Sequence, residues 1–251
     1  RAGLLDMVAA AGVAFCGASF PFMDPGSVPA WPRASAWVVT PWAVADKGLL
    51  PAVSRLGVAV RRVAAPFGIE GTLAWLDGVR AAVGLPPADP EARASLAGPW
   101  PERLAALHGE TGARRVGLVV PADEAGEALS PRVFFGLDPV ALLRELGLRP
   151  IVVLARPRAA AAPVPPPDAP DLVLQGCDEP IVETLRRAAC DLVYSDHAGD
   201  SRVTRAGATP FDVRLLVPGI PGAVATARRL LALCRVPFHA RYARLLGGDA
   251  P

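Results

Sequence analysis

One stretch of the sequence, residues 64–76, reads AAPFGIEGTLAWL. It predicts the end of a strand, a tight turn and the first turns of an amphipathic helix. Gly68 and Gly71 would let the backbone turn without a Cβ clash, and Glu70 would complement the positive end of the helix. A strand that runs directly into a helix is the repeating unit of a parallel sheet with crossover helices. The stretch therefore predicts an α/β fold.

The same alternation of strands and helices continues on both sides of this junction. In the first part we expect strands at Val13–Ala18, Ala36–Thr40 and Val58–Val63, and helices at Arg1–Ala11, Ala43–Leu56 and Glu70–Val83. In the second part we expect strands at Arg114–Val120, Ile151–Ala155, Leu172–Leu174, Leu192–Ser195 and Val213–Val217. The helices of that part are expected at Pro139–Leu146, Pro180–Ala189, Asp200–Ala206 and Gly222–Leu233.

Proline-rich residues 85–90 interrupt the alternation, and a helical connector over Glu91–Thr111 follows. We therefore predict two Rossmann-like three-layer α/β/α domains with parallel sheets, joined by a helical linker. The first domain would span residues 1–88, the linker 89–112 and the second domain 113–251. The chain begins at Arg1, and its first residues already read as the middle of a helix. We therefore expect that an N-terminal segment, with the opening strand of the first domain, precedes it.

Composition excludes several classes of function. The net charge is +2 with scattered arginines, which gives no electrostatic case for binding nucleic acid. No apolar run is long enough to span a bilayer, and no GxxxxGK[ST] motif for binding ATP occurs. The four cysteines, Cys16, Cys177, Cys190 and Cys234, are far apart and form no CxxC pair. We therefore predict no metal or iron–sulfur site within this chain and a reducing, cytoplasmic setting.

Candidate pocket residues follow the predicted strands, because ligands of open parallel sheets bind beyond the carboxyl ends of the strands. The candidates are Thr40, Trp42, Glu70, Asp196, His197, Asp200, Gly219 and Gly222. The cluster around His197 could perform acid–base chemistry, and the alternative is a helix cap formed by Asp200 or Ser201. The two glycines would allow a ligand to approach the backbone closely or would simply form a tight turn.

Several segments, in order, resemble the nitrogenase component 1 superfamily of oxidoreductases. The segments are Trp37–Pro41, Pro66–Thr72, Ala113–Val119, Leu142–Pro150, Cys190–Asp196, Gly207–Phe211 and Pro218–Ala223. The GIEGTLAWL run at residues 68–76 resembles the N-type subunit of dark-operative protochlorophyllide reductase, an enzyme of bacteriochlorophyll biosynthesis. The resemblance implies a three-domain subunit whose N-terminal domain, absent from this chain, supplies cysteines for a bridging iron–sulfur cluster.

The resemblance also implies partners and a reaction. A paralogous component 1 subunit would pair with this chain, and an ATP-hydrolysing iron–sulfur protein would deliver electrons for the reduction of an organic substrate such as a tetrapyrrole. Thr40-Pro41 stands where the nitrogenase catalytic subunit has its cofactor cysteine, and the cofactor histidine has no counterpart near Phe211. Dinitrogen reduction is therefore not expected. The alternatives are a non-catalytic scaffold for assembling a metal cluster and a degenerate subunit that stabilises an active paralogue.

Overall fold

A computed structural model describes residues 2–17, 25–41, 50–51, 54–121, 129–131, 134–155, 171–176, 179–195 and 200–235. The chain divides into two compact units. The first unit contains Arg1–Gly98 together with the short segments Pro131–Leu137 and Pro218–Ile220. The second unit contains Pro99–Ser130, Asp138–Val217 and Pro221–Pro251. Two distant pieces of the chain thus return to complete the first unit.

The first unit has a two-stranded parallel sheet as its described strand structure. Its elements are helix α1 (Ala2–Ala10), a 3₁₀ helix (Pro25–Arg33), strands β1 (Ala36–Val39) and β2 (Ala59–Arg62), and helices α2 (Ile69–Ala82) and α3 (Pro90–Ala97). Strand β1 pairs with β2 from Ala36 opposite Ala59 to Val39 opposite Arg62. The carboxyl ends of both strands therefore lie at the same edge.

Helix α2 supplies much of the core of the first unit. Its buried residues recur at the spacing of one helix face and are Ile69, Thr72, Leu73, Leu76 and Val79. Gly78 lets this helix approach the strand that precedes it, because a Cβ there would lie 2.5 Å from Val63 Cγ1. The stretch of residues 64–76 thus forms the predicted strand-to-helix junction.

The second unit is built on a five-stranded parallel sheet with the strand order β5-β4-β3-β6-β7. The strands are β3 (Arg115–Pro121), β4 (Arg149–Ala155), β5 (Leu172–Leu174), β6 (Leu192–Tyr194) and β7 (Thr209–Phe211). The helices are α4 (Trp100–Ala105), α5 (His108–Thr111), α6 (Pro139–Glu145), α7 (Ile181–Ala188), α8 (Ser201–Arg205) and α9 (Ile220–Arg235). Counted along the unit, the strand order is 3-2-1-4-5, the doubly wound arrangement of Rossmann-like folds.

The central strands of this sheet read as continuous apolar runs because both of their faces are covered. In β4, Ile151, Val152, Val153 and Leu154 are all fully buried. The two edge strands are protected from pairing with another chain. Strand β7 contains Pro210, which has no N–H to offer, and Arg187 Nη2 donates to the carbonyl oxygen of Leu174 in β5 at 2.7 Å.

Two predictions about elements are wrong. Val13–Ala18 is not a strand over its described residues, 13–17, because no described strand pairs with it and the Val13 N–H bonds back to Val8 at the end of α1. Val213–Val217 is not a strand either. Residues Val213–Leu215 form a 3₁₀ helix, because Asp212 caps the backbone N–H of Arg214, and the strand lies earlier as β7.

The helical connector expected over Glu91–Thr111 consists of three separate helices, α3, α4 and α5, because Gly98 adopts a φ of 50° and Pro99 and Pro101 follow it. Of the predicted helix Ala43–Leu56, residues Leu50, Pro51 and Ser54 are helical, whereas residues 43–49 and 52–53 lie outside the described residues. No helix in the described part of the chain is long and apolar enough to cross a membrane.

Candidate functional site

The turn between β2 and α2 lies at the carboxyl edge of the first unit and is held by several hydrogen bonds. The Val63 N–H donates to the carbonyl oxygen of Val39 at 2.9 Å, which extends the pairing of the two strands. Gly68 then adopts φ 76° and ψ 177°, a backbone conformation open essentially to glycine alone. Helix α2 begins at the next residue, Ile69. The glycine therefore allows the strand to turn directly into the helix.

Two groups bind the carbonyl oxygen of Pro66 at the centre of this turn. The backbone N–H of Gly219 donates to it at 2.7 Å, and the hydroxyl oxygen of Thr72 lies 3.1 Å from it. The Thr72 hydroxyl also lies 2.5 Å from the carbonyl oxygen of Gly68. Thr72 is completely buried. The turn is thus held by a side chain of α2 and by a backbone N–H of the segment that precedes α9.

A second turn, Phe134–Leu137, packs against the same junction. The Leu137 N–H donates to the carbonyl oxygen of Phe134 at 2.8 Å, and Phe135 and Gly136 have φ angles of 53° and 83°. Two successive positive φ angles closed by this bond are the signature of a type I′ turn. The Ala65 N–H donates to the Phe135 carbonyl oxygen at 2.8 Å. This turn was not predicted from the sequence.

The two turns bring three partly exposed phenylalanines together. The ring of Phe135 meets those of Phe67 and Phe134 edge-on, with centroids 6.4 Å and 5.9 Å apart. Gly136 is required beneath them, because a Cβ at that position would lie 2.6 Å from Ala64 Cα. Phe135 adopts a left-handed backbone that is uncommon for a bulky residue. The carboxyl edge of the first unit therefore presents an aromatic surface that sequence reasoning missed.

Two of the predicted pocket residues of the first unit are described at this edge. Thr40 directly follows β1 and is half-buried. Glu70 lies in the first turn of α2, where its exposed carboxylate forms an ion pair of 3.5 Å with Arg93. Trp42 lies outside the described residues. The position of Glu70 at a helix N-terminus is electrostatically favourable with or without a ligand.

In the second unit, the sheet changes winding direction between β3 and β6, which is where doubly wound folds bind ligands. Strand β6 ends at Tyr194, whose ring meets Phe211 of β7 edge-on at 5.6 Å. The Ser195 N–H donates to the Phe211 carbonyl oxygen at 2.8 Å. Asp196 and His197 follow directly in the sequence but lie outside the described residues. Their place beside the switch point therefore stays a prediction.

Asp200 forms the N-cap of helix α8. One of its carboxylate oxygens, Oδ1, accepts the Arg202 N–H at 3.0 Å, and both oxygens bind the Arg202 guanidinium at 2.9 and 2.8 Å. Asp212 repeats the arrangement with Arg214 after β7. The Arg214 guanidinium, through its hydrogen bonds, holds the pKa of Asp212 below its usual range. Both carboxylates are therefore occupied by capping and ion pairing.

Gly219 and Gly222 both have a conformational or packing role at the start of α9. Gly219 has a φ of 91° and is buried, and its N–H binds Pro66. A Cβ on Gly222 would lie 2.1 Å from the carbonyl oxygen of Val217, so no side chain fits there. These contacts account for both glycines as parts of a tight turn.

The cysteines that the structure describes, Cys16, Cys190 and Cys234, are free thiols. Burial raises the pKa of Cys190 to about 11 and that of Cys234 to about 11, so both are protonated at neutral pH. Cys16 is exposed. In the described part of the chain, no group of three or more His, Cys, Asp or Glu side chains could hold a metal ion. The described residues therefore offer no set of ligands for an iron–sulfur cluster.

Comparison with known proteins identifies the fold. No protein-family model and no curated protein matches the sequence. Among the solved structures, 37 chains match. A chain titled "Nitrogenase Cp1 at pH 5" superposes with a TM-score of 0.61 at 12% sequence identity, over 94% of this chain and 54% of that one. This chain thus spans about half the length of the structure it matches, and the predicted α/β fold with parallel sheets is confirmed.

Proposed function

We propose that this chain is a subunit of a nitrogenase-like two-component reductase. In this proposal it pairs with a paralogous subunit in the cytoplasm and accepts electrons from an ATP-hydrolysing iron–sulfur protein. The observation that carries the proposal is the likeness of 94% of the chain to the chain titled "Nitrogenase Cp1 at pH 5". That match covers only 54% of the other chain. The proposal therefore places the bridging iron–sulfur cluster in the full complex and not within this chain.

The proposed substrate is an organic molecule with a large apolar surface, and a tetrapyrrole is the class that the residues of the β2–α2 junction favour by resemblance. Phe67, Phe134 and Phe135 support this choice, because they place partly exposed rings at the carboxyl edge of the first unit. Aromatic rings pack well against flat conjugated molecules. A threonine and a proline at residues 40–41 offer no thiolate or imidazole for a metal cofactor, which favours an organic substrate over dinitrogen.

The proposed roles of the chain's own residues are to bind and orient the substrate. Thr40 would donate a hydrogen bond from the end of β1, and Glu70 would accept one at the start of α2. The remaining candidates for contact with the substrate are Trp42, Gly219 and Gly222. Asp196, His197 and Asp200 belong to the second unit, where His197 is the candidate for moving a proton near neutral pH.

The test is ATP-dependent substrate reduction by the full-length native complex, with protochlorophyllide and chlorophyllide as probes. Thr40→Val keeps the side-chain volume but removes the hydroxyl, and Phe135→Leu removes the ring. We expect each variant to lower the rate at least tenfold while the iron content stays that of the wild type. Arg186→Gln, on the exposed face of α7, is the matched control and should keep the wild-type rate.

Two results would contradict the proposal. If the wild-type complex reduces neither probe when ATP and a reductant are present, the tetrapyrrole assignment is wrong. If Thr40→Val and Phe135→Leu keep the wild-type rate, the carboxyl edge of the first unit does not contact the substrate. Iron content and subunit composition, measured on the same samples, separate a loss of chemistry from a loss of assembly.

A further inference from the structure

The first unit contains a cavity of about 240 Å³ between helices α1, α2 and α3. Its lining includes Ala11, Leu76, Arg80, Ala88, Ala92 and Ser95. Small alanine side chains leave the space open, and the polar groups among these six side chains are the Arg80 guanidinium and the Ser95 hydroxyl. The volume equals about eight water molecules. The cavity is therefore the right size for a ligand of only a few heavy atoms.

The guanidinium of Arg80 is fixed in place by two backbone carbonyls. Its Nε donates to the Pro86 carbonyl oxygen at 2.7 Å, and its Nη1 donates to the Ala11 carbonyl oxygen at 2.7 Å. A guanidinium carries five N–H donors, so three remain after these two bonds. None of these nitrogens is a buried atom without a hydrogen-bond partner. Arg80 Nη2, which forms no hydrogen bond with a described residue, is therefore accessible to a ligand or to solvent.

No carboxylate among the described residues forms an ion pair with Arg80. The neighbouring acids are bound elsewhere: Asp77 pairs with Arg93 and accepts the Ala88 N–H at 2.9 Å, and Glu70 pairs with Arg93. Arg93 thus has two acidic partners on this side of α2, whereas Arg80, one turn after Asp77, has carbonyl partners only. A fixed cation that lines a cavity loses little side-chain entropy when an anion binds to it.

We propose that this cavity binds a small carboxylate with a short apolar chain. The free N–H groups of Arg80 bind the carboxylate, in the charge-assisted geometry that a guanidinium favours. Ser95 supplies a hydroxyl at the same cavity, and the alanines and Leu76 pack against the apolar chain. The site is separate from the carboxyl edge of the sheet and does not depend on the function proposed above.

The charge preference of the cavity can be tested with two ligands of the same shape. The carbonyl ends of α1 and α2 lie beside Arg80 and oppose an anion, so a neutral ligand is the necessary control. We expect sodium butyrate to raise the melting temperature of the purified chain in a saturable way, with half-saturation at roughly millimolar concentration. Butyramide, at the same concentrations, should raise it at least threefold less.

Two variants show whether the effect arises in this cavity. Ala92→Leu fills the space without touching the two hydrogen bonds of Arg80, and it should abolish the butyrate effect while the unliganded protein melts as before or higher. Ser54→Ala, whose exposed hydroxyl bonds only to Leu50 in its own helix, should respond like the wild type. The proposal is overturned if butyramide matches butyrate, if neither ligand acts, or if Ala92→Leu still responds to butyrate.

Discussion

The backbone N–H of Gly219 donates a 2.7 Å hydrogen bond to the carbonyl oxygen of Pro66. This bond joins the turn that follows β2 to the residues that begin α9, although the two segments are far apart in the sequence. Thr72 approaches the same carbonyl from inside the unit, with its hydroxyl oxygen 3.1 Å away. The β2–α2 junction is therefore held in place by one contact from its own helix and one from a distant part of the chain.

Thr72→Val removes the hydroxyl that lies between the Gly68 and Pro66 carbonyls but keeps the side-chain volume. We expect a loss of about 1–2 kcal/mol in the free energy of unfolding, because the hydrogen bonds of the buried Thr72 hydroxyl to these carbonyls are lost. We also expect faster hydrogen exchange at the Gly219 amide, since its acceptor becomes less fixed. Urea unfolding and exchange measured by NMR check both effects.

Thr204→Val is the control for that substitution. Its hydroxyl donates to the Ser201 carbonyl oxygen within the short helix α8, where water can replace it. We expect a change of less than about 0.5 kcal/mol there. Equal effects of the two valine substitutions would contradict the role given to Thr72.

Gly136→Ala tests the close approach of the Phe134–Leu137 turn to the β2–α2 junction. The new Cβ would lie 2.6 Å from Ala64 Cα, so backbone must move, and we expect a loss of roughly 3 kcal/mol or more. Gly84→Ala is the matched control, because Gly84 has a similar φ of 80° but faces open space. It should lose about 1–2 kcal/mol from backbone strain alone. Urea unfolding of both variants gives the difference, and equal losses would contradict the packing described.

Gly117 and Cys190 form a tight contact in the core of the second unit. A Cβ at residue 117 would lie 3.0 Å from Cys190 Sγ. We expect Gly117→Ala to lose about 1–3 kcal/mol through overpacking, and we expect Cys190→Ala in the same chain to recover part of that loss. A double-mutant cycle with urea unfolding checks the coupling. Strictly additive losses would show that the two residues do not compete for the same space.

The thiol of Cys190 should be inert while the chain is folded. Burial raises its pKa to about 11, above the unfolded value of about 8.5. The stabilisation linked to this shift is therefore complete below pH 8.5 and is lost as the pH rises towards 11. At pH 7.5 we expect iodoacetamide to modify the exposed Cys16 first and Cys190 only after unfolding, as peptide mass spectrometry can show. Early modification of Cys190 in the native chain would be inconsistent with its burial.

Asp212 and Arg214 predict a dependence of stability on acid. The pKa of Asp212 is lowered in the folded chain by its hydrogen bonds to Arg214. A carboxyl with a lowered pKa stabilises the fold above its unfolded pKa of about 3.9, and that contribution is lost as the pH falls through the lower folded value. Arg214→Gln should raise the pKa of Asp212, measured by NMR titration, and weaken the acid dependence seen in urea unfolding. An unchanged Asp212 titration in that variant would contradict this account.

The sequence was sufficient to predict the parts of the fold that depend on local signals. The junction at residues 64–76 was predictable because Pro66, Gly68 and an apolar face at helical spacing are all local features. The wrong strand at Val213–Val217 arose from a mostly apolar segment with valine at both ends, which resembles a strand. The useful local signal there was Asp212, whose side chain caps the turn that follows it.

The Phe134–Leu137 turn could not be predicted in the same way. A phenylalanine at the first central position of a type I′ turn contradicts local preference, which favours Asn-Gly. The turn forms because Gly136 packs on Ala64 and the Phe135 carbonyl accepts a bond from Ala65. Both contacts join residues about seventy positions apart, and no pattern within a window of sequence encodes them.

The proposal that the chain is a subunit of a nitrogenase-like reductase is best tested by anaerobic purification of the tagged protein from its native host. Iron analysis, an optical spectrum and identification of the co-purifying proteins are made on one sample. We expect a coloured, iron-containing complex with a paralogous subunit, and recovery of an ATP-hydrolysing iron–sulfur protein with it. A colourless complex without iron would contradict the proposal.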